Sequence, residues 1–252
     1  MRIRIGSLIQ SNVDMSRDIP IVFVIDDDIS VRESLVRLIR VAGWQPSVCA
    51  SAEEFLARPR QMTPGCLLAE LRLPGLTGLN LQRLILDRTE IPIIFISEHI
   101  DVQAAVQAMR RGAFEVLTKP LATDLLLTTI RCAIERSRTA LNNLAQIRVL
   151  QDRYASLSAR EKEVMSLVVS GRLNKQVSGD LGITEFTVKA HRGRLMRKMR
   201  AGSVAELVTM VESLRRWTTA MAASVGLSDQ LLTDNSTLVQ SLRISTSDVM
   251  SA

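Results

Sequence analysis

Along its first half the chain alternates short apolar runs with segments whose apolar residues return every three or four positions. Ile21 to Ile25, Cys66 to Ala69 and Ile91 to Ile96 are continuous apolar runs, as expected of parallel strands covered on both faces. Between them Val31 to Val41, with Leu35, Leu38 and Ile39 at helical spacing, Leu79 to Leu86 and the Ala-rich Val102 to Arg110 predict helices. A weak strand near Ser47 to Ala50, a short helix begun by the pair Ser51 and Glu54, and a last strand over Glu115 to Leu117 complete the series. Strands that alternate with helices in this way predict a doubly wound parallel sheet.

From Thr123 the pattern changes. Leu126, Ile130, Ile134, Leu141, Leu144, Ile147 and Leu150 drift between three- and four-residue spacing, and no Pro or Gly follows until Gly171. One long helix is predicted, its apolar stripe packing on the first domain or pairing with a second copy. Ser158 and Glu161 then form a capping box before the stripe Val164, Leu167 and Val168, which stops at Gly171. Asn174 to Leu181 is a second short helix, Gly182 a turn and Thr184 the cap of a third, which together make a helix-turn-helix pattern. The expected organisation is a flexible leader at 1–19, a first domain at 20–122, a linker helix at 123–155, a second domain at 156–216 and a polar flexible tail at 217–252. The tail's one feature is a weak periodicity from Leu231 to Leu242.

Carboxylates collect where strands give way to loops. Asp26, Asp27 and Asp28 follow the first strand, and Glu70 ends the third, before the turn residues Pro74, Gly75 and Gly78. Open α/β sheets place their ligands at such carboxyl ends. Asp28 suits the start of a helix, whereas Asp26 and Asp27 suit a cation. Lys119-Pro120 is a tight joint in which a cis bond can form. His99 is expected to face solvent, and Met109 and Met165 to pack.

Composition narrows the class. With 252 residues, 46% of them hydrophobic, the chain is long enough for two small domains with real cores. No apolar run reaches the roughly 18 residues of a membrane span, and the start has too short an apolar stretch for a signal peptide, so a cytoplasmic protein without a membrane partner is expected. Cys49, Cys66 and Cys132 show no metal-ligand spacing and read as ordinary reduced thiols. The net charge of +6 is localised: residues 156–216 hold twelve Lys and Arg against six acids, and the remainder is neutral. A basic excess in one segment points to a polyanionic partner for that segment.

The order IDDD (25–28), ELRLPGLTG (70–78), FISEH (95–99) and RGAFEVLTKPL (111–121) resembles the receiver domain of bacterial two-component response regulators. The resemblance implies a flavodoxin-like sheet that binds Mg²⁺ and accepts a phosphoryl group from a sensor histidine kinase. By that alignment Asp26 and Asp27 match the acidic pair, Glu70 the phosphoacceptor, Arg72 the residue whose carbonyl helps hold the metal, Ser97 the switch hydroxyl and Lys119 the conserved ammonium. Two positions depart from the family pattern. The acceptor is an aspartate in the family and Glu70 here, and Val116 stands where many relatives carry Tyr or Phe. One methylene moves a carboxylate by about 1.5 Å, and a misplacement of about 1 Å can cost roughly a hundredfold in rate. Poor phosphorylation or none is therefore expected. The longer side chain either carries its charge toward Ser97 and Lys119, partly standing in for a phosphorylated aspartate, or marks a receiver kept for folding or dimerisation.

On the third helix Val188, Leu195 and Met199 recur near one angle at about 100° per residue and are expected to face the core. Phe186, Lys189, Ala190, Gly193, Arg194 and Arg197 fall opposite, a basic side with two small residues suited to a major groove. There Lys or Arg can reach guanine, and Phe186 or Ala190 the methyl of thymine. SAREKEVMSLVVSG, NKQV and TVKAHRGRLMRKM resemble the LuxR-type DNA-binding domain of the FixJ/NarL response regulators. That resemblance implies an all-α LuxR-type helix-turn-helix domain whose fourth helix, Ser203 to Leu214, makes dimer contacts. The candidate DNA-binding residues are Lys175, Thr184, Phe186, Thr187, Lys189, Ala190, Arg192, Arg194 and Arg197, with His191 a packing or phosphate-contact residue. The implied partners are double-stranded DNA, a second copy in a homodimer, a sensor histidine kinase and RNA polymerase.

The expected function is a sequence-specific transcriptional regulator that is not an enzyme and whose receiver is not phosphorylated in the usual way. The alternatives are a phosphoryl-transfer module that DNA binding merely localises, and a subunit that dimerises with a conventional relative and modulates it.

Overall fold

The structure, a computed structural model, describes residues 19–98 and 101–224, with side chains to residue 220. The leader before Ile19, His99 and the Ser/Thr-rich end with Leu231 to Leu242 lie outside the described residues. The chain divides into two compact units, one up to Asn142 and one from Asn143.

In the first unit β1 (Ile21–Ile25), α1 (Ile29–Val41), β2 (Gln45–Cys49), α2 (Ala52–Ala57), β3 (Gly65–Glu70), α3 (Gly78–Leu84), β4 (Ile93–Ser97), α4 (Val102–Arg110) and β5 (Glu115–Thr118) alternate as expected. The strands form one parallel sheet in the order β2-β1-β3-β4-β5. Every residue of β1, β3 and β4 is buried, which explains why they read as unbroken apolar runs.

Alternate side chains serve opposite faces. Phe23 and Ile25 pack with Phe55, Leu81 and Ala108 of α2, α3 and α4, while Val22 and Val24 pack with Leu35 and Ile39 of α1 and with Leu126, Ile130 and Ile134 of α5 (Thr123–Ala155). The flavodoxin-like doubly wound fold is thus present, and each such aliphatic side chain contributes roughly 1.5–3 kcal/mol by leaving water. The start of α5 packs on its own sheet. There the Ser137 hydroxyl accepts from the Gly65 amide at 3.0 Å, and the Arg60 guanidinium meets the fully buried Glu90 at 2.6 and 2.7 Å.

The strand ends are in register, with Ile25 opposite Ala69 and Glu70 opposite Ile96. Gly78 brings the following loop back against them. A Cβ there would lie 2.9 Å from the Glu70 carbonyl oxygen and 2.8 Å from the Phe95 ring, so any side chain would push the loop off the strand.

The second unit holds the end of α5, then α6 (Ala159–Val169), α7 (Asn174–Leu181), α8 (Glu185–Met199) and α9 (Val204–Ser224). Tyr154, Val164, Met165, Val168, Val177, Val188, Leu195, Met199, Leu207 and Val211 form its core. The capping box of Ser158 and Glu161 is complete, Gly182 ends α7 at a positive φ of 64°, and the Thr184 hydroxyl caps α8 through the Thr187 amide.

Some boundaries differ from expectation. At α2 only half of the capping box is present, because Glu54 accepts from the Ala50 amide rather than that of Ser51. Helix α9 runs past Leu214 and Trp217 to Ser224, into the segment expected to be a flexible tail. No Pro or Gly interrupts it before Gly226, and the hydroxyls of Thr218 and Thr219 bond back to the carbonyls of Leu214 and Arg215. No helix among the described residues is long and apolar enough to cross a membrane.

Candidate functional site

Residues at or just beyond the ends of four strands meet in one cavity of about 330 Å³, where Asp26, Asp27, Glu70, Arg72, Ser97 and Lys119 all reach the wall. The β-register does this, because parallel strands that end nearly level deliver their last and next residues to one edge. Asp26, Glu70 and Ser97 are buried, while Asp27 is exposed. Val116 stays outside the cavity and packs, half-buried, on the sheet core.

The charges are closely paired. The Lys119 ammonium lies 3.0 Å from Asp26 Oδ2 and 3.0 Å from Glu70 Oε2. Asp26 Oδ1 accepts from the Asp28 amide at 2.9 Å, and Glu70 Oε1 from the Arg72 amide at 3.3 Å. Burial alone would lower the pKa of Lys119, but the hydrogen bonds and charges of Asp26 and Glu70 outweigh it and hold the ammonium above its ordinary value. The Lys119 amide donates to the Ser97 carbonyl at 2.9 Å, and the Lys119-Pro120 bond is cis. Asp28, which also lines the cavity, caps α1 by accepting from the Ser30 amide at 2.7 Å.

Among the described residues no group of three or more His, Cys, Asp or Glu side chains is gathered to hold a metal ion. Asp26 and Asp27 nevertheless line the cavity beside Arg72 and bring carboxylate oxygens, the donor type that suits Mg²⁺, which keeps several of its waters. Bound there, the cation would supply charge that neutralises phosphoryl oxygens.

In the second unit α8 buries Val188, Leu195 and Met199 and exposes Phe186, Lys189, Gly193, Arg194 and Arg197, with Ala190 half-buried among them. Lys189, Arg194 and Arg197 make no ion pair among the described residues, whereas Lys198, also exposed, bonds the buried Glu161 at 2.6 Å. Lys175 is exposed at the start of α7. Arg192 is half-buried and donates to the Asn174 side chain at 2.9 Å. The hydroxyls of Thr184 and Thr187 lie 2.9 Å apart, so both are already engaged at the cap. His191 sits at the edge of the buried side with its Nδ1 enclosed and unbonded.

Residues 22–131 match the response regulator receiver domain, and residues 155–211 match the bacterial regulatory proteins of the luxR family. Nodulation protein W of Bradyrhizobium diazoefficiens is 43% identical over 77% of this chain and 86% of its own length. The chain belongs to the two-component response regulators. The response regulator protein TmoT of Ectopseudomonas mendocina is 41% identical over 77% of this chain and 89% of its own. The structure of response regulator StyR superposes with a TM-score of 0.66 at 39% identity, covering 77% of this chain and 99% of that one. This response regulator therefore joins a receiver to a LuxR-type DNA-binding domain, in a family of transcriptional regulators and not of enzymes.

Sequence reasoning about this response regulator missed Arg32, whose guanidinium donates to the backbone carbonyls of Asp26 and Asp27 at 2.7 and 2.9 Å. Its place one turn into α1 was a usable signal, since that turn lies over the first strand's end. Glu98 also lines the cavity, and its position beside Ser97 could have suggested it. Met165 packs as expected, but Met109 is exposed, because only Ala108 of α4 turns fully inward. The cysteines are free: burial pushes the Cys49 thiol up to about 11 and that of Cys66 higher still, whereas Cys132 is exposed.

Proposed function

We propose that this response regulator is a cytoplasmic, sequence-specific DNA-binding transcriptional regulator whose receiver is set by its own Glu70 rather than by phosphorylation. The observation that carries this reading is the Lys119 ammonium, held 3.0 Å from both Asp26 and Glu70. A phosphorylated aspartate would present negative oxygens to the same ammonium, and the longer Glu70 side chain already delivers one. Its single charge makes the substitution partial.

In this reading Glu70 takes the phosphoacceptor's place, Ser97, Val116 and Lys119 form the switch set, and Asp26, Asp27 and the Arg72 carbonyl are the Mg²⁺ ligands. The exposed side of α8, with Lys175, meets the DNA. Thr184 and Thr187 order the start of that helix, and Arg192 supports it through Asn174. The working limits are a receiver over 20–122, a linker helix over 123–155 and a DNA module over 156–216, acting as a homodimer with RNA polymerase as the downstream partner.

The test compares binding of the full chain and of Glu70→Asp to duplexes bearing inverted repeats, the latter with and without a small acyl phosphate and Mg²⁺. Tight specific binding by the unmodified chain, matched by Glu70→Asp only after phosphodonor, is expected. Equal binding by every form overturns the set-on receiver and leaves a structural or dimerising unit.

A further inference from the structure

Phe186 breaks the rule that the other aromatic side chains obey. The chain has five Phe, two Trp and one Tyr. Phe23, Phe55, Phe95 and Tyr154 are buried, while Phe114, Trp44 and Trp217 are half-buried. Phe186 is 82% exposed.

Its surroundings make this exposure informative. Phe186 is the second residue of α8, and at about 100° per residue it shares one strip with Ala190 and Gly193. A Cβ on Gly193 would meet nothing within 4 Å, so the strip is open at that position. Lys189 and Arg194 flank it, and Arg197 continues it, all without ion pairs among the described residues. The flanking cations suffice for phosphates, which need no ring between them. An aromatic tip on an uncharged, low-relief strip instead matches the floor of a major groove, where the one apolar group on any base edge is the thymine C5-methyl. Residues near the start of a recognition helix are those that reach base edges.

Resting on the DNA-binding reading above, we propose that Phe186 is a specificity-determining residue that reads thymine through its C5-methyl group, with Ala190 and Gly193 leaving room for the base edges to approach. Affinity for the cognate site then depends on methyl groups at defined positions, independently of the charge contacts.

The experiment selects a duplex from a random-sequence pool with the full chain, then replaces thymine by uracil one position at a time, which removes only the methyl group. At one or two positions in each half-site uracil weakens binding by about fourfold, the weight of one buried methyl group. The Phe186→Ala chain binds thymine and uracil forms of those positions equally, and Phe186→Leu recovers part of the preference. The salt dependence of binding and the thermal transitions stay as in the parent, because the ring carries no charge and no packing. If the parent is indifferent to uracil everywhere, or if Phe186→Ala keeps the thymine preference, the inference is overturned while DNA binding stands. If no duplex is enriched, the DNA-binding reading falls and takes the inference with it.

Discussion

The cavity of the receiver and the outer side of α8 are both rich in charge, and they treat it in opposite ways. In the cavity the Asp26 and Glu70 carboxylates share the Lys119 ammonium at 3.0 Å, with Arg32 holding the backbone of the acidic pair. On α8 Lys189, Arg194 and Arg197 point outward without a carboxylate among the described residues. A buried charge must be answered from within because desolvation is costly, whereas a solvated one can stay unanswered until a partner arrives. The contrast fits the proposed roles, the first array setting the state of the receiver and the second meeting DNA. Helix α8 also answers a buried charge, since its exposed Lys198 reaches the buried Glu161 of α6 at 2.6 Å.

Removing single charges tests this division. Lys119→Met strands the Asp26 and Glu70 carboxylates and is expected to cost the receiver roughly 3 kcal/mol, seen as an earlier thermal transition. Adding Glu70→Gln to it should recover part of the loss, and no loss in the single variant would break the contrast. Glu161→Ala removes a capping-box partner and the counter-charge of Lys198, and should cost the DNA-binding unit about 2 kcal/mol in urea unfolding.

The pH dependence of that unit follows from the same group. Burial alone would raise the pKa of Glu161, but Lys198 and the Ser158 backbone amide outweigh it and hold the carboxyl below the ordinary range. A lowered folded pKa contributes stability that is complete above the ordinary carboxylate value of about 4.3 and is lost as pH falls through the folded value. Melting of Glu161→Gln should accordingly drop less between pH 5 and pH 3 than melting of the parent. The smallest stability change belongs to Arg194→Ala with Arg197→Ala, within about 0.5 kcal/mol. The effect of that pair appears in DNA binding, weakened across all sequences and with a salt slope shallower by about 0.9 for each phosphate that is no longer neutralised. A stability loss comparable to that of Lys119→Met would show that the outer charges also serve the fold.

Much of the architecture was legible because burial leaves a local signature. Strands β1, β3 and β4, covered on both faces, could only be continuous apolar runs, and α7 and the start of α8 announced themselves through Gly182 and Thr184. The polar end of α9 was less legible: its Ser and Thr residues resemble a tail by composition, yet they bond to the preceding turn's carbonyls and leave the helix intact.

The candidate site divides along the same line. Sequence alone determined which groups are present: the acidic trio, a glutamate at a strand end, a lysine before proline, and a basic helix side carrying one phenylalanine. These are properties of residue type and of spacing along one chain. That Lys119 lies between Asp26 and Glu70 and that Arg32 reaches back to two carbonyls were decided only by the tertiary structure. Such distances and exposures depend on strand register and on packing between residues far apart in the chain, which no local pattern encodes.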